Sequence, residues 1–320
     1  MPLSPASEKT RISVGVVLAF FAIYVLWGST YLAIRIAVET VPPFLAAGIR
    51  FTLAGLVLYG WSRARGGRNP TALEWRNLAI LGALLFLIPY SGLFWAEKTV
   101  PSGIASVLVA TIPISTALLQ VFVLRRERFR WSLLASLCLG FAGVGVLALD
   151  PGPGHASIAA CLTILLCSTS WAVGTVIAKE AVLPESKVTS AGAQMAIGGI
   201  LLLLFSLLAG EWHPRPHISP HAAGAIAYLI VAGSIVAFTA YLWLLGRMPA
   251  TTVTSYAYVN PVVALLLGHF IGNEELAPRT LAGAALVLAS VLLITKKNRT
   301  SLTDSTAFAD RPPAGQTAQR

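Results

Sequence analysis

The chain has 320 residues, of which 56% are hydrophobic and only 11% are charged, and its mean hydropathy is +0.75. Soluble proteins carry about 25% charged residues, so this composition excludes an ordinary soluble globular protein. The net charge of +10 does not indicate a nucleic-acid partner, because the basic residues cluster in short connections that face the aqueous surface of a membrane. The sequence therefore predicts a polytopic α-helical protein whose surroundings are the lipid bilayer.

Ten apolar blocks follow one another along the chain, each close to the ~20 residues with which an α-helix spans a bilayer. A short polar N-terminus (1–13) precedes them, and a polar tail (296–320) that we expect to be disordered follows them. A cluster of Pro and Gly at 150–155 divides the chain into halves. The predicted helices are 14–36, 42–62, 77–97, 101–124 and 131–149 in the first half, and 156–179, 188–210, 221–246, 250–272 and 278–295 in the second.

The distribution of Lys and Arg predicts the orientation of these helices. With the N-terminus in the cytoplasm, all 23 basic residues fall in cytoplasmic segments except Arg35, Arg50, Lys98, Arg215 and Arg279. Cytoplasmic connections of membrane proteins carry an excess of Lys and Arg. We therefore expect both termini to be cytoplasmic.

The second half of the chain repeats features of the first. The segment Val100–Pro113 returns 148 residues later, and helices 1 and 2 return after 144 residues. Since each half has an odd number of helices, the second copy enters the membrane from the opposite side. The sequence thus predicts an all-α membrane protein of two inverted five-helix repeats, 14–149 and 150–295. The equivalent pairs are Trp27/Trp171, Arg35/Lys179, Arg50/Gln194, Gly55/Gly199, Trp95/Trp243, Pro101/Pro249 and Pro113/Pro261.

Pro113 and Pro261 each lie twelve residues after the proline that opens their helix, which is about 18 Å into the apolar layer. A proline at this depth leaves the carbonyl four residues earlier, that of Val109 or Ala257, without its helical partner. Lipid supplies no replacement donor, so such breaks survive only against protein or a wet cavity. We expect the two prolines to be equivalent hinges; the alternative is that they fit static bends.

Four stretches resemble the EamA-type permeases of the drug/metabolite transporter superfamily: LWGSTYLAIRIAVE (26–39), AAGIRF (46–51), AEKTVPSGIASVLVATIP (96–113) and ATTVTSYAYVNPVVALLLG (250–268). The resemblance extends over about 14–295. It implies two inverted five-helix repeats around a central cavity, with helices 1, 3, 4, 6, 8 and 9 enclosing the pathway and helices 5 and 10 outside it. It also implies a place in the bacterial inner membrane, most often with efflux of metabolites or amino acids. Substrates vary widely within the family, so the resemblance does not name the cargo.

Charged side chains inside apolar blocks are candidate pathway residues. Arg50 lies about eight residues inside helix 2, where an arginine costs about 2.5–3.5 kcal/mol at the membrane centre, so it should face a cavity or a partner. Gln194 takes the same position in the second half. Arg35 and Lys179 lie near helix ends, where they either snorkel to headgroups or form two cationic gates, one at each face. Glu97 is either a pathway carboxylate or half of an exposed pair with its neighbour Lys98.

Aromatic and amide side chains complete the candidate pathway. Four tryptophans are paired across the repeat, and tyrosines and one asparagine lie in the same helices; these groups either line a pocket or serve ordinary helix packing. They are Trp27, Trp95, Trp171, Trp243, Tyr31, Tyr90, Tyr256, Tyr258 and Asn260.

The sequence contains no phosphate-binding loop, nucleophile triad or metal-ligand cluster, so we expect no catalytic residue, metal or cofactor. Cys138, Cys161 and Cys167 lie in apolar blocks and are expected to be small packing residues. The expected function is a secondary transporter that exports a small metabolite or amino-acid-like compound by alternating access. A passive channel and a non-transporting membrane receptor or scaffold remain the alternatives, and the sequence leaves the oligomeric state open.

Overall fold

A computed structural model describes residues 14–125, 129, 131–148, 157–245, 247, 253 and 256–309. The N-terminal segment 1–13, the dividing cluster 150–155, Pro249 and residues 310–320 lie outside this range. Every regular element within it is helical. The helices are α1 (Val14–Val38), α2 (Pro43–Ala64), α3 (Ala72–Ala96), α4 (Ser102–Val123), α5 (Trp131–Ala148), α6 (Ile158–Ala178), α7 (Lys187–Leu208), α8 (Pro220–Leu244), α9 (Tyr256–Phe270) and α10 (Pro278–Ala309).

Seven of these helices are long and apolar enough to cross a membrane, namely all but α5, α9 and α10. The other three contain shorter apolar stretches, Leu133–Leu147, Tyr256–Phe270 and Pro278–Leu293. Each predicted block contains a helix. The described part of the chain is therefore an all-helical protein with seven candidate membrane spans.

Two predicted helix ends were wrong. Helix α3 begins at Ala72 rather than 77, because Thr71 and Glu74 form a capping box in which each side chain accepts a hydrogen bond from the other's backbone N–H. Helix α10 continues past the predicted end at 295 to Ala309, and the expectation of a disordered tail stays a prediction. No Pro or Gly interrupts 296–309, and the polar residues there are compatible with a helix.

Helices α2 and α7 approach so closely that backbone touches backbone. A Cβ added to Gly55 would lie 2.2 Å from the backbone nitrogen of Ala196, and one added to Gly199 would lie 2.2 Å from that of Thr52. Small residues at such crossings allow van der Waals contact between helix backbones inside a membrane. The two contacts are equivalent, because Gly199 and Ala196 each lie 144 residues after Gly55 and Thr52.

The same crossing fixes the relative direction of the two helices. Gly48, early in α2, lies against Leu203, late in α7, while Gly192, early in α7, lies against Tyr59, late in α2. Helices α2 and α7 are therefore antiparallel, and their contacts exchange under the 144-residue offset.

Helices α1, α3 and α8 pack against this pair. Helix α3 packs against α6, and α1 packs against α8 and α9. Helices α5 and α10 form a separate pair through Gly143 and Gly283, where an added Cβ on Gly143 would lie 2.9 Å from the carbonyl oxygen of Gly283. The largest apolar core has buried members in every helix, and α5 and α10 contribute to it through Leu147, Ala284 and Val287.

Candidate functional site

A cavity of about 120 Å³ lies between the packed helices. Eight helices contribute to its wall, and α5 and α10 contribute no described residue. This agrees with the enclosure expected for helices 1, 3, 4, 6, 8 and 9, but α2 and α7 also take part. The lining residues are Trp27, Thr30, Tyr31, Ile34, Arg50, Phe51, Phe86, Pro89, Tyr90, Leu93, Val109, Ile112, Cys167, Ser168, Trp171, Met195, Gly233, Ser234, Phe238, Tyr256 and Asn260.

Two aromatic clusters form much of this wall. In the first, the ring of Trp27 lies 4.8 Å from that of Tyr256 and 6.5 Å from that of Phe238. In the second, the ring of Tyr90 lies 6.1 Å from that of Trp171. Trp27 and Trp171 are equivalent at an offset of 144 residues, and Tyr90 and Phe238 at an offset of 148. Each tryptophan thus packs on the α3 or α8 of the other half of the chain.

Widened π-helical turns interrupt the helices that carry these clusters. Trp27 Nε1 donates a hydrogen bond of 2.9 Å to the carbonyl of Gly233, in the π-helical segment Leu229–Val236 of α8. Ser170 Oγ donates one of 2.9 Å to the carbonyl of Leu84, in the π-helical segment Ala83–Leu87 of α3. A π-helical turn disturbs the regular backbone ladder, and such turns are common at functional sites. Here a polar side chain from the facing helix satisfies a carbonyl that lipid could not.

Asn260 makes the corresponding connection between α9 and α1. With its amide assigned in the orientation that lets the nitrogen donate, that nitrogen lies 3.1 Å from the carbonyl of Tyr24 and 3.3 Å from that of Ile23, both in the π-helical segment Ala22–Leu26. It also lies 3.1 Å from the carbonyl of Tyr256 in its own helix. Asn260 therefore links the two helices beside the cavity, directly before Pro261.

Arg50 carries the cavity's charge. The side chain is only 3% exposed, its Nε donates a hydrogen bond of 3.0 Å to Ser234 Oγ, and its Nη1 has no partner among the described residues. The guanidinium lies 4.6 Å from the centre of the Phe51 ring and 5.4 Å from that of Tyr90. Arg50 thus faces the cavity between aromatic rings and has spare hydrogen-bonding capacity.

A second polar group in the wall is also unsatisfied. Ser168 is 2% exposed, and its Oγ has no hydrogen-bond partner in the described part of the chain. Among the described lining residues there is no Asp, Glu, Lys or His, so Arg50 supplies the formal charge of the wall. The site therefore combines a cation, the buried, unsatisfied hydroxyl of Ser168 and two aromatic clusters.

The predicted pair of cationic gates differs between the two halves. Arg35 Nη1 donates to the carbonyls of Glu97 and Val100, at 2.7 and 3.3 Å, and so fixes the connection between α3 and α4. Lys179 is exposed at the end of α6. Neither side chain lines the cavity.

Glu97 lies beside the cavity rather than in its wall. The residue is fully buried and both carboxylate oxygens lack partners among the described residues, so the alternative of an exposed pair with Lys98 was wrong. Burial, followed by the nearby charge of Glu274, raises the pKa of the Glu97 carboxyl well above its ordinary value, although Arg35 and Arg50 act in the opposite direction. Glu97 therefore favours its neutral form. Glu274 instead accepts hydrogen bonds from the first backbone N–H groups of α4.

Four further predicted pathway residues also lie outside the wall. Trp95 is 43% exposed, and Trp243 carries the Arg247 guanidinium 4.0 Å above its ring. Gln194 donates a hydrogen bond of 3.0 Å to Ser190 within α7 and does not line the cavity as its counterpart Arg50 does. Tyr258 packs against a small apolar cluster formed by α4, α5 and α10.

The two central prolines have different surroundings. In α4 the regular helix stops at Val109, and Pro113 lies in the first turn of the next segment, Ile112–Leu118. A proline in a first turn removes no helical hydrogen bond. Pro261 is buried inside α9, which is uninterrupted from Tyr256 to Phe270. A break is thus visible in the first copy, and the shared hinge role remains a prediction.

Several lining residues had not been singled out from the sequence. Cys167 and Ser168 precede Trp171 on one helix, and Gly233 and Ser234 precede Phe238 on another, so small residues beside the deep aromatics were the available signal. Cys167 is a free thiol that donates to the carbonyl of Ile88 in α3. Ser234 and Tyr90, which contact Arg50, are distant from it in the chain, and no sequence pattern connects them to it.

Comparisons with known proteins agree with this architecture. The EamA-like transporter family matches residues 14–149 and 158–296. The "Uncharacterized inner membrane transporter YedA" of Escherichia coli strain K12 is 36% identical over 281 residues, covering 87% of this chain and 89% of that protein. "Protein PecM" of Dickeya dadantii is 27% identical over 284 residues, covering 86% and 91%.

A solved crystal structure shares the fold. It superposes with a TM-score of 0.61 at 23% sequence identity and covers 89% of this chain and 98% of its own. The matches to both halves and the similarity to YedA lead to one conclusion: this chain belongs to the EamA-like transporter family.

Proposed function

We propose that the chain is a secondary transporter of a bacterial inner membrane that exports a small metabolite by alternating access through the central cavity. The observation that carries the proposal is the cavity itself, whose wall is built by helices from both halves of the chain. Binding sites of repeat-built transporters lie at the interface between the repeats. The printed name of the YedA relative, an inner membrane transporter, supports the location.

The proposed architecture has ten membrane spans in two inverted five-helix repeats. The family matches the two halves separately, at 14–149 and 158–296. The antiparallel crossing of α2 and α7, in which Gly55 and Gly199 make equivalent contacts, supports an inverted relation between the halves. The three helices with shorter apolar stretches complete the count. The positions of Lys and Arg support cytoplasmic termini.

Efflux from living cells tests the proposal. Overexpression should raise the extracellular level of at least one metabolite, and deletion should raise its intracellular level. Ser168→Phe should abolish both effects, because it places a ring inside the cavity at a buried site. Gly224→Phe is the matched control, since Gly224 lies on the exposed side of α8 with nothing within 4 Å of an added Cβ.

Equal expression of the two variants in the membrane is required for this comparison. Loss of efflux in Ser168→Phe alone supports transport through the cavity. Unchanged metabolite levels on overexpression and deletion would favour a receptor or scaffold. Metabolite efflux that no substitution in the cavity wall reduces would contradict the proposed pathway.

A further inference from the structure

Resting on the transport function proposed above, we propose that the cavity binds a small organic anion, a monocarboxylate with an apolar or aromatic body, and that its carboxylate sits on Arg50. The inference starts from a charge without compensation. Arg50 is only 3% exposed and makes no ion pair with a described residue. A buried cation of this kind is costly unless an opposite charge reaches it.

Neighbouring acidic groups do not supply that charge. No described residue of the wall is acidic. The titratable side chains close enough to interact electrostatically with Arg50 are Tyr90, Glu97 and Tyr31. Glu97 lies in the connection after α3, outside the wall, and forms no ion pair with Arg50 within 4 Å. A ligand carboxylate would therefore meet a cation that the protein leaves unbalanced.

The geometry around Arg50 also suits a carboxylate. The hydrogen bond from Nε to Ser234 orients the guanidinium and leaves Nη1 for a ligand. A guanidinium presents planar N–H donors that match the two oxygens of a carboxylate. A Cβ added to Gly233 would lie 3.2 Å from Arg50 Nη2 and 2.8 Å from Thr30 Cγ2. The absence of a side chain at Gly233 therefore provides space for the guanidinium.

The remainder of the wall defines the rest of the ligand. The two aromatic clusters, around Trp27 and Trp171, offer apolar surface for a ring or a branched chain. The free hydroxyl of Ser168 offers one further hydrogen bond. The described wall holds no carboxylate for an ammonium group, which favours a simple monoanion over an organic cation.

Calorimetric titration of the purified full-length protein in detergent tests the inference. The probes are four carboxylates and their neutral amides: acetate and acetamide, benzoate and benzamide, phenylacetate and phenylacetamide, indole-3-acetate and indole-3-acetamide. We expect at least one carboxylate to bind about tenfold more tightly than its amide, since hydrogen bonds between a guanidinium and a carboxylate are about twice as strong as bonds to a neutral group.

Three variants locate that preference. Arg50→Gln should abolish it, and Gly233→Ala should weaken it by displacing the guanidinium while Arg50 remains present. Arg65→Gln makes the same chemical change at an exposed residue beside Trp61 and should retain the preference. If Arg50→Gln does not fold, Gly233→Ala carries the comparison.

The inference is overturned if no pair shows a preference for the anion, or if the preference survives both Arg50→Gln and Gly233→Ala. Because the titration measures binding by the isolated protein, this failure is distinct from failure of the transport proposal. Efflux of a neutral compound that depends on Ser168 would leave transport standing and contradict the anion site.

Discussion

Two carboxylates near the start of α4 differ in their contacts and therefore in their energetic role. Glu274 accepts two backbone N–H bonds, from Ser102 and Gly103, at the positive end of that helix. Glu97 is fully buried with both oxygens unsatisfied among the described residues. A buried carboxyl without partners opposes ionisation, whereas a carboxylate at a helix N-terminus stabilises the fold.

The first prediction concerns the pH dependence of stability at Glu97. Because its pKa is raised in the folded protein, the folded chain holds this proton at pH values where the unfolded chain has released it. The contribution of Glu97 to the free energy of unfolding is therefore fully present below the ordinary Glu pKa of about 4.3. It is lost as the pH rises toward the pKa of Glu97 in the folded protein. Glu97→Gln should raise the melting temperature in detergent, more at about pH 8 than at about pH 5.

Glu274→Gln is the matched control for this measurement. It weakens two charge-assisted bonds at the start of α4 and should lower the melting temperature at about pH 8. A lower melting temperature for Glu97→Gln at the higher pH would contradict the assignment of Glu97 as a destabilising buried acid.

At the residue level, the sequence predicted individual side chains better than their partners. The depth of Arg50 in an apolar helix predicted that it faces a cavity, and the structure places it in the wall. Its partner Ser234 lies 184 residues away, and no local pattern identifies that contact. Glu97 and Lys98 are adjacent in the chain but differ in burial, because the chain turns between α3 and α4 and buries only one of them.

Among the elements, α2 and α7 depend most on small residues. Gly55 and Gly60 lie in the same helix, but an added Cβ would clash with the backbone of Ala196 at Gly55 and would meet nothing within 4 Å at Gly60. Overpacking a helix contact costs about 1–3 kcal/mol. Replacing an unconstrained helical Gly by Ala gains about 0.5–1 kcal/mol.

The second prediction follows from this contrast. Gly55→Ala should lower the melting temperature and the yield of folded protein, whereas Gly60→Ala should leave both unchanged or raise them. Thermal unfolding in detergent, read by size-exclusion chromatography after heating, separates the two. Equal behaviour of the variants would show that the close approach of α2 and α7 does not contribute to stability.

The third prediction concerns the prolines as paired hinges. Ala at position 113 would supply an N–H that lets the helix continue across the break before Ile112, and Ala at position 261 would restore the N–H missing inside α9. In inverted repeats the two halves lie at opposite faces. A bias of about 1.4 kcal/mol changes a two-state population tenfold. Pro113→Ala and Pro261→Ala should therefore shift the accessibility of a cavity cysteine in opposite directions. Shifts in the same direction, or none with efflux intact, would leave both prolines as packing features.

Helix positions and most helix ends could be predicted from apolar length, but the start of α3 depends on a capping signal. The pattern from Thr71 to Glu74 marked the start of α3 and had been overlooked. The π-helical turns in α1, α3 and α8 could not be predicted, because the donors that bond their carbonyls, such as Trp27 and Ser170, come from helices distant in the chain. The predicted equivalence of Pro113 and Pro261 failed to anticipate that, of the two helices that carry them, α4 is interrupted and the described part of α9 is not.

For the whole molecule, the proposed orientation gives a fourth prediction. Reporter fusions at Arg68, Glu127, Arg215 and Thr300 should report cytoplasm, cytoplasm, outside and cytoplasm, because Lys and Arg are concentrated in the segments assigned to the cytoplasm. A cytoplasmic signal at Arg215 would contradict ten spans with cytoplasmic termini.

The most direct test of the central claim is accessibility of the cavity from each face of the membrane. Cys138, Cys161 and Cys167 are replaced by Ser, and Ser168→Cys places a single thiol in the cavity wall. An alternating-access transporter predicts that a membrane-impermeant maleimide labels this thiol in right-side-out and in inside-out vesicles, while the vesicles stay tight to the reagent. Labelling from one face only, or passage of the reagent through the protein, would contradict the account.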